Sequence, residues 1–343
     1  MRIVLDGMGS DDCPEPEIKA ALQAAREFSD PITLVGPVNQ LKPRLDALGA
    51  TETEVRLVEA SDVITMEDKG LSLALKAKRH NAKNSMAVGM DLVINNEADA
   101  FVTAGNTGGA LATAFYRMGL MEGVERPALS VFLPVRGGQC LILDIGANPD
   151  CKPEHLYQFA IMGALYVEKV RKIKKPKIGL MSNGEEAGKG NQLIKDTFPI
   201  LASSDLNFIG NVESKELYGG EVDVVVTDGF TGNVVVKTSE AVAKLIVEML
   251  RTELTSSTRT KVGALLAKPA FSSIRKMMDP AETGAAPLLG VDGLVYVGHG
   301  RSDARALVSA VRTAREGVAA NFLGELRSAV QEHLAITQEQ RAS

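Results

Sequence analysis

The chain has 343 residues, 45% of them hydrophobic and 24% charged, which fits a folded protein with its own core and excludes a disordered chain. Lys and Arg number 38 against 43 Asp and Glu, and the net charge of −5 excludes a broadly basic nucleic-acid binder. The three cysteines have no CxxC spacing, the opening MRIVLDGMGS has no secretory h-region, and no apolar run nears the ~20 residues of a bilayer span, so a disulfide framework, a zinc site and a membrane-spanning segment are not expected.

In chain order, β-branched runs at 2–6, 32–35, 54–58, 100–103, 129–133, 140–144, 177–181, 207–209, 222–227 and 293–297 predict strands. Helices are predicted between most of them, over 15–28, 69–81, 85–95, 107–118, 153–172, 191–201, 234–254 and 303–326. Nearly continuous apolar strands alternating with helices predict an α/β protein with a mostly parallel sheet covered on both faces. Ligands then belong at the carboxyl ends of the strands. Residues 234–279 break the alternation with two consecutive helices and read as a protruding arm. The last dozen residues read as a frayed tail.

The loops after the strands carry the chemistry. The turn Thr103-Ala104-Gly105-Asn106-Thr107-Gly108-Gly109 joins a strand to a helix, so the helix-terminal amides can cradle an anion, with Thr107 as the expected N-cap. It matches neither GxGxxG nor GxxxxGK[ST], so no nucleotide fingerprint is present. In 183–191, NGEEAGKGN, Lys189 stands between two glycines, and a lysine point charge suits phosphate. Asp228-Gly229-Phe230-Thr231-Gly232-Asn233 opens another helix; Asp228 is suited to capping, to accepting a proton or to holding Lys189. Asp6-Gly7-Met8-Gly9-Ser10-Asp11-Asp12 ends the first strand without metal-site spacing, and Asp144 to Asn148 ends another and completes the cleft. His299 follows the strand at 293–297 and is placed to donate to an oxyanion or a thiolate, whereas His155 reads as a capping or packing residue. No GxSxG elbow or Cys–base pairing announces a nucleophile, which suggests that phosphate itself takes part.

Taken together, DGMGSD, AGNTGG at 104–109, DIGANPDCKPEHLYQFAIMG at 144–163, NGEEAGKGN at 183–191, NFIGNVE at 207–213, DGFTGNVVVKT at 228–238, GAAPLLGVDG at 284–293 and GHGRSDA at 298–304 resemble, in order along nearly the whole chain, the bacterial phosphate acyltransferases of phospholipid synthesis. The opening departs from a pattern closer to DAMGGD, and the loop at His299 from one closer to HGSSNA.

The resemblance implies a three-layer α/β/α sandwich similar to isocitrate and isopropylmalate dehydrogenases. Residues 1–135 with 280–343 form the larger subdomain, and 136–279 form a second that includes the arm. It also implies a homodimer without metal, nucleotide or other cofactor. The implied reaction makes acyl-phosphate and free acyl carrier protein (ACP) from acyl-ACP and inorganic phosphate by direct attack on the thioester. Lys189 and Asn233 would be catalytic. Asp6, Gly105, Asn106, Thr107, Gly108, Gly109, Asp228, Thr231, Gly232 and His299 would bind phosphate or substrate, with the amides of 106–109 and 231–233 as fixed dipoles. Rival readings are an acyl-CoA-dependent enzyme similar to phosphate acetyltransferases and a non-catalytic scaffold.

Two basic segments interrupt the acidic chain. Residues 255–278 carry five cations and no acid; Val262, Leu265, Leu266, Phe271, Ile274, Met277 and Met278 recur at roughly helical spacing, interrupted at Pro269, among cations that include Lys261, Lys268 and Arg275. This predicts an amphipathic arm for an anionic membrane surface or for the dimer. The expected location is cytoplasmic, at the inner face of the membrane, where a glycerol-3-phosphate acyltransferase would use the product. KVRKIKKPK at 169–177 carries six cations and suits an acidic carrier or a solvated helix end.

Overall fold

Strand residues divide between the two faces of a single sheet: Ile3 and Leu5 are buried in one apolar cluster and Val4 in another, and Leu141 and Leu143 separate likewise from Ile142. The computed structural model describes residues 1–78, 82–269, 271, 281 and 284–342, with side chains up to residue 332.

The first half of the chain forms β1 (Ile3–Asp6), α1 (Glu15–Phe28), β2 (Ile32–Gly36), α2 (Val38–Ala47), β3 (Val55–Glu59), α3 (Gly70–Lys78), α4 (Ser85–Ile94), β4 (Ala100–Thr103), α5 (Thr107–Arg117) and β5 (Ala128–Val135). There follow β6 (Gly138–Leu143), α6 (Pro153–Arg171), β7 (Ile178–Met181), α7 (Gln192–Ala202), β8 (Phe208–Val212), α8 (Ser214–Gly219) and β9 (Val224–Val226). The rest comprises α9 (Gly229–Thr255), α10 (Thr258–Leu266), β10 (Ala286–Leu289), β11 (Val295–Val297), α11 (Ala304–Ala319) and α12 (Phe322–Ala342).

The strands make one sheet in the order β3-β2-β1-β4-β11-β10-β5-β6-β9-β7-β8. Pairing is parallel on both sides and antiparallel only across β11-β10-β5-β6 in the middle. The two parallel halves therefore run in opposite directions, and their carboxyl ends would leave from opposite edges of a flat sheet. Twist of about 20–25° per neighbouring pair, over the five steps from β4 to β9, turns the two sets of ends through roughly 100–125° toward each other.

Several expectations are corrected. The segment after Pro37 forms α2, with Pro43 inside it, where the prolines had concealed a helix. Strand β10 pairs antiparallel to β5 and β11 from a stretch read only as a motif. The helix expected from 234 starts at Gly229, so the Gly-rich turn is its first turn. The helix expected over 303–326 is two helices, because Asn321 adopts φ +49 between them. The backbone expected to fray is helical to Ala342.

Candidate functional site

At the carboxyl ends of β1, β4 and β11, three turns are knitted together from below. Asp6 is 1% exposed; its Oδ1 accepts from the Met8 amide at 3.1 Å and its Oδ2 from the Thr103 hydroxyl at 2.8 Å. Thr103 Oγ1 in turn accepts from the Gly105 amide at 2.9 Å. A Cβ on Gly9 would lie 2.8 Å from Gly105 N, so only glycine lets the two backbones approach this closely. The Asp11 amide donates to Gly300 O at 2.8 Å and brings in the third turn.

The N-cap of α5 is Asn106 rather than Thr107: its Oδ1 accepts from the Gly109 amide at 3.0 Å, while its Nδ2 donates to Thr65 O and Asp68 O. Thr107 is the first helical residue. Thr107 and Gly108 are exposed residues, and neither amide has an acceptor among the described residues, which leaves both for an anion.

Under these turns lies Glu17, which the sequence marks only as an acid in the first turn of α1. It is fully buried, accepts from the Ser10 amide at 2.7 Å through Oε1, and leaves Oε2 unpartnered. Burial pushes its carboxyl up to about 7 against the pull of the Ser10 hydrogen bonds. Burial likewise raises Asp6. Between pH ~4.5 and ~7 the native protein keeps a proton that the unfolded chain has released, so stability falls as pH rises through that window. Glu17→Gln should remove about 3 kcal/mol of that fall. Urea midpoints at pH 5 and pH 8 measure it, and an unchanged pH slope in the variant would exclude Glu17 as its source.

The second half offers less free backbone than the sequence suggests. Asp144 is fully buried and accepts from the amides of Leu129, Gly146, Ala147 and Asn148 and from the Asn148 side chain. The turn expected to complete the cleft thus points its amides inward at its own carboxylate, whose pKa burial raises. Asp228 is the N-cap of α9: its Oδ1 takes the Thr231 amide and its Oδ2 the Thr231 hydroxyl, each at 2.8 Å. The Gly232 amide donates to Asp228 O at 3.0 Å. The fixed dipoles expected from 231–233 are therefore corrected at Thr231 and Gly232, because the helix begins at Gly229 and its cap has claimed those donors. Asn233 is exposed beside Gly146, where a Cβ would lie 3.9 Å from Asn233 Cγ.

Lys189 is also exposed, its stem lying across Gly184, where a Cβ would be 2.8 Å from Lys189 Cγ. Its amide donates to Glu186 O at 2.9 Å, and the buried Asn211 donates to the same carbonyl at 2.9 Å. Asp228 is spent on its helix cap, and Lys189 and Asn233 have different immediate neighbours. Glu185, Glu213 and Glu216 are the one carboxylate cluster among the described residues with the geometry to hold a cation, and the Lys215 ammonium already pairs with all three.

His299 is exposed at the rim, and its pKa is held below the ordinary value by shielding of the ring and by the positive charges of Lys237, on α9, and Arg301. Ile145 packs against the apolar clusters of both halves. Burial pushes the Cys13 thiol up to about 11 and the Cys151 thiol to about 12, and raises Cys140 too, so none of the three is a ready thiolate. His155 caps α6, its Nδ1 accepting from the Lys152 amide at 3.1 Å. On the arm, Lys261, Leu265, Leu266 and Lys268 are exposed and Phe271 is half-buried, while Arg275 lies outside the described residues.

Comparison with known proteins follows the same lines. The family model described as "Fatty acid synthesis protein" matches residues 1–324. A phosphate acyltransferase of Elusimicrobium minutum is 45% identical over 343 residues, 100% of this chain and 99% of the relative. Among solved structures, the EutD phosphotransacetylase from Staphylococcus aureus superposes with a TM-score of 0.59 at 13% identity, covering 93% of this chain and 94% of that one. A 4-hydroxythreonine-4-phosphate dehydrogenase from Klebsiella pneumoniae gives 0.56 at 12% identity, over 92% and 99%. The α/β/α sandwich of dehydrogenase type implied by the resemblance is the fold observed.

Proposed function

We propose, from the premise that this chain belongs to the fatty acid synthesis protein family and is an acyltransferase working with phosphate, that it converts acyl-ACP and inorganic phosphate into acyl-phosphate and free ACP. The observation that carries the reading is the pair of unclaimed amides of the exposed residues Thr107 and Gly108 at the head of α5. They can hold a phosphate oxygen or the developing oxyanion without reorganisation. A phosphate oxygen attacks the thioester carbonyl, the C–S bond breaks, and the phosphopantetheine sulfur leaves as thiolate. Phosphate is already substantially dianionic near neutral pH and needs no strong base, which suits a site whose thiols are held protonated.

In this reading Lys189 neutralises the phosphate and Asn233 orients it or the oxyanion. Asp6 acts through Thr103 on Gly105 and the α5 turn, Asp228 and Gly232 set the start of α9, and His299, neutral near pH 7, is a donor at the rim. No step calls for a cofactor.

The acidic carrier would dock on Lys172, Lys174 and Lys175, exposed just beyond α6. The arm supports a homodimer and a membrane contact. Met249 is 60% exposed on α9 and Leu265 and Leu266 are 70% and 80% exposed on α10, an apolar surface large enough to need a cover. No described helix is long and apolar enough to cross a membrane, so any contact is made by lying on the surface, where a glycerol-3-phosphate acyltransferase would take the product. Sedimentation and flotation on anionic vesicles read these two assignments.

The test incubates the full chain with hexadecanoyl-ACP and phosphate. Phosphate-dependent release of ACP, with acyl-phosphate formed, is expected. Turnover with acyl-CoA alone, or none at all, would overturn the reading.

A further inference from the structure

Beside the head of α5 runs an apolar stripe that the reading above does not use. Asn106 Nδ2 donates to Thr65 O and to Asp68 O, each at 3.0 Å, and so ties the segment leading into α3 to the Gly-rich turn. Met66, in that segment, sits over the third turn: a Cβ on Gly300 would lie 2.8 Å from its Cε. Leu71 and Leu75 follow one helical turn apart, on one face of α3, 76% and 57% exposed. Lys78 continues the face, 5.9 Å from the ring of Tyr116 on α5, and the Tyr116 and Phe115 rings stand 5.4 Å apart, both partly in solvent. From Leu71 to Lys78 the helix rises about 10 Å.

We infer that this stripe, Met66–Leu71–Leu75–Tyr116–Phe115, receives the hydrocarbon tail of the acyl group being transferred. The inference rests on the proposed function, and within it takes the oxyanion that develops from the thioester carbonyl, rather than phosphate, to sit at the Thr107 and Gly108 amides. The stripe begins there and leads away over side chains with little else to bury them: Ala77 is the buried residue of α3. A tail laid along it removes methylenes from water, worth about fourfold in affinity for each one fully buried. A second copy of the chain is better matched to the larger apolar surface of α9 and α10.

The test compares the full chain with a Leu71→Ser/Leu75→Ser double variant, on hexadecanoyl-ACP and on butanoyl-ACP. We expect kcat/KM to fall about tenfold or more with the sixteen-carbon substrate and to stay within about twofold with the four-carbon one, whose tail is too short to reach Leu75. Equal losses on both substrates, or no loss on either, would overturn the inference. So would a change from dimer to monomer on sedimentation, which would assign the stripe to a second copy. Binding of hexadecanoyl-ACP without phosphate is measured in parallel. If the unaltered chain turns over neither substrate but binds the long one, and the variant does not, the tail site stands while the proposed reaction fails.

Discussion

Replacing Lys189 with alanine should lower phosphate-dependent turnover ~10²–10³-fold, the loss typical when one fixed electrostatic donor is removed from a reacting oxyanion. The expectation comes from the local geometry. The side chain is exposed, its stem crosses Gly184, and its backbone is held by the carbonyl of Glu186, to which Asn211 also donates. The ammonium therefore presents a positive charge from a supported loop without any part in the core. Folding stability should stay within about 0.5 kcal/mol of the parent, as for other exposed positions. Initial rates at varied phosphate, alongside a urea melt, separate the two. Full turnover with an unchanged KM for phosphate would remove Lys189 from the mechanism.

Gly232→Ala should be among the most damaging single changes to stability. A Cβ there would lie 1.8 Å from Asp144 O and 2.9 Å from Asp144 C. The obstacle is backbone, and that carbonyl belongs to the residue whose carboxylate gathers the amides of 146–148. Neither side can yield without dislodging the first turn of α9. A loss of about 3 kcal/mol or more is expected, at or beyond the upper range for overpacking. Gly188→Ala is the matched control: that glycine has no heavy atom within 4 Å of its built Cβ and should cost under about 0.5 kcal/mol. Equal urea midpoints for the two variants would show that the helix start adjusts more easily than this contact implies.

Much of the architecture is legible in the sequence because buried parallel strands leave runs that little else produces. The runs at Ile3, Ala100 and Ile178 become strands within a residue or two of their expected limits. The misses have local causes. Pro43 hid α2, and Pro287 hid β10, which runs antiparallel to both β11 and β5. In the candidate site the Gly-rich turns were readable as turns, but not which amides remain available. That depends on partners distant in sequence, such as Leu129 for Asp144, or on a shift of one residue in the helix start, as with Asn106 in place of Thr107. Glu17 was beyond reach for the same reason, since its burial is set by Ser10 and by packing no spacing reveals.

Strand β5 has a mechanical consequence. Its first residues, Ala128 and Leu129, are laddered to β10, and Ser130 through Val135 are laddered to β6. One continuous strand is thus a beam common to both halves, and the halves cannot swing apart as two plates on a flexible cord without shearing that ladder. Torsion about β5 would change the angle between the two sets of strand ends without pulling that ladder apart. Substrate entry would then resemble the wringing of a cloth more than the opening of a jaw.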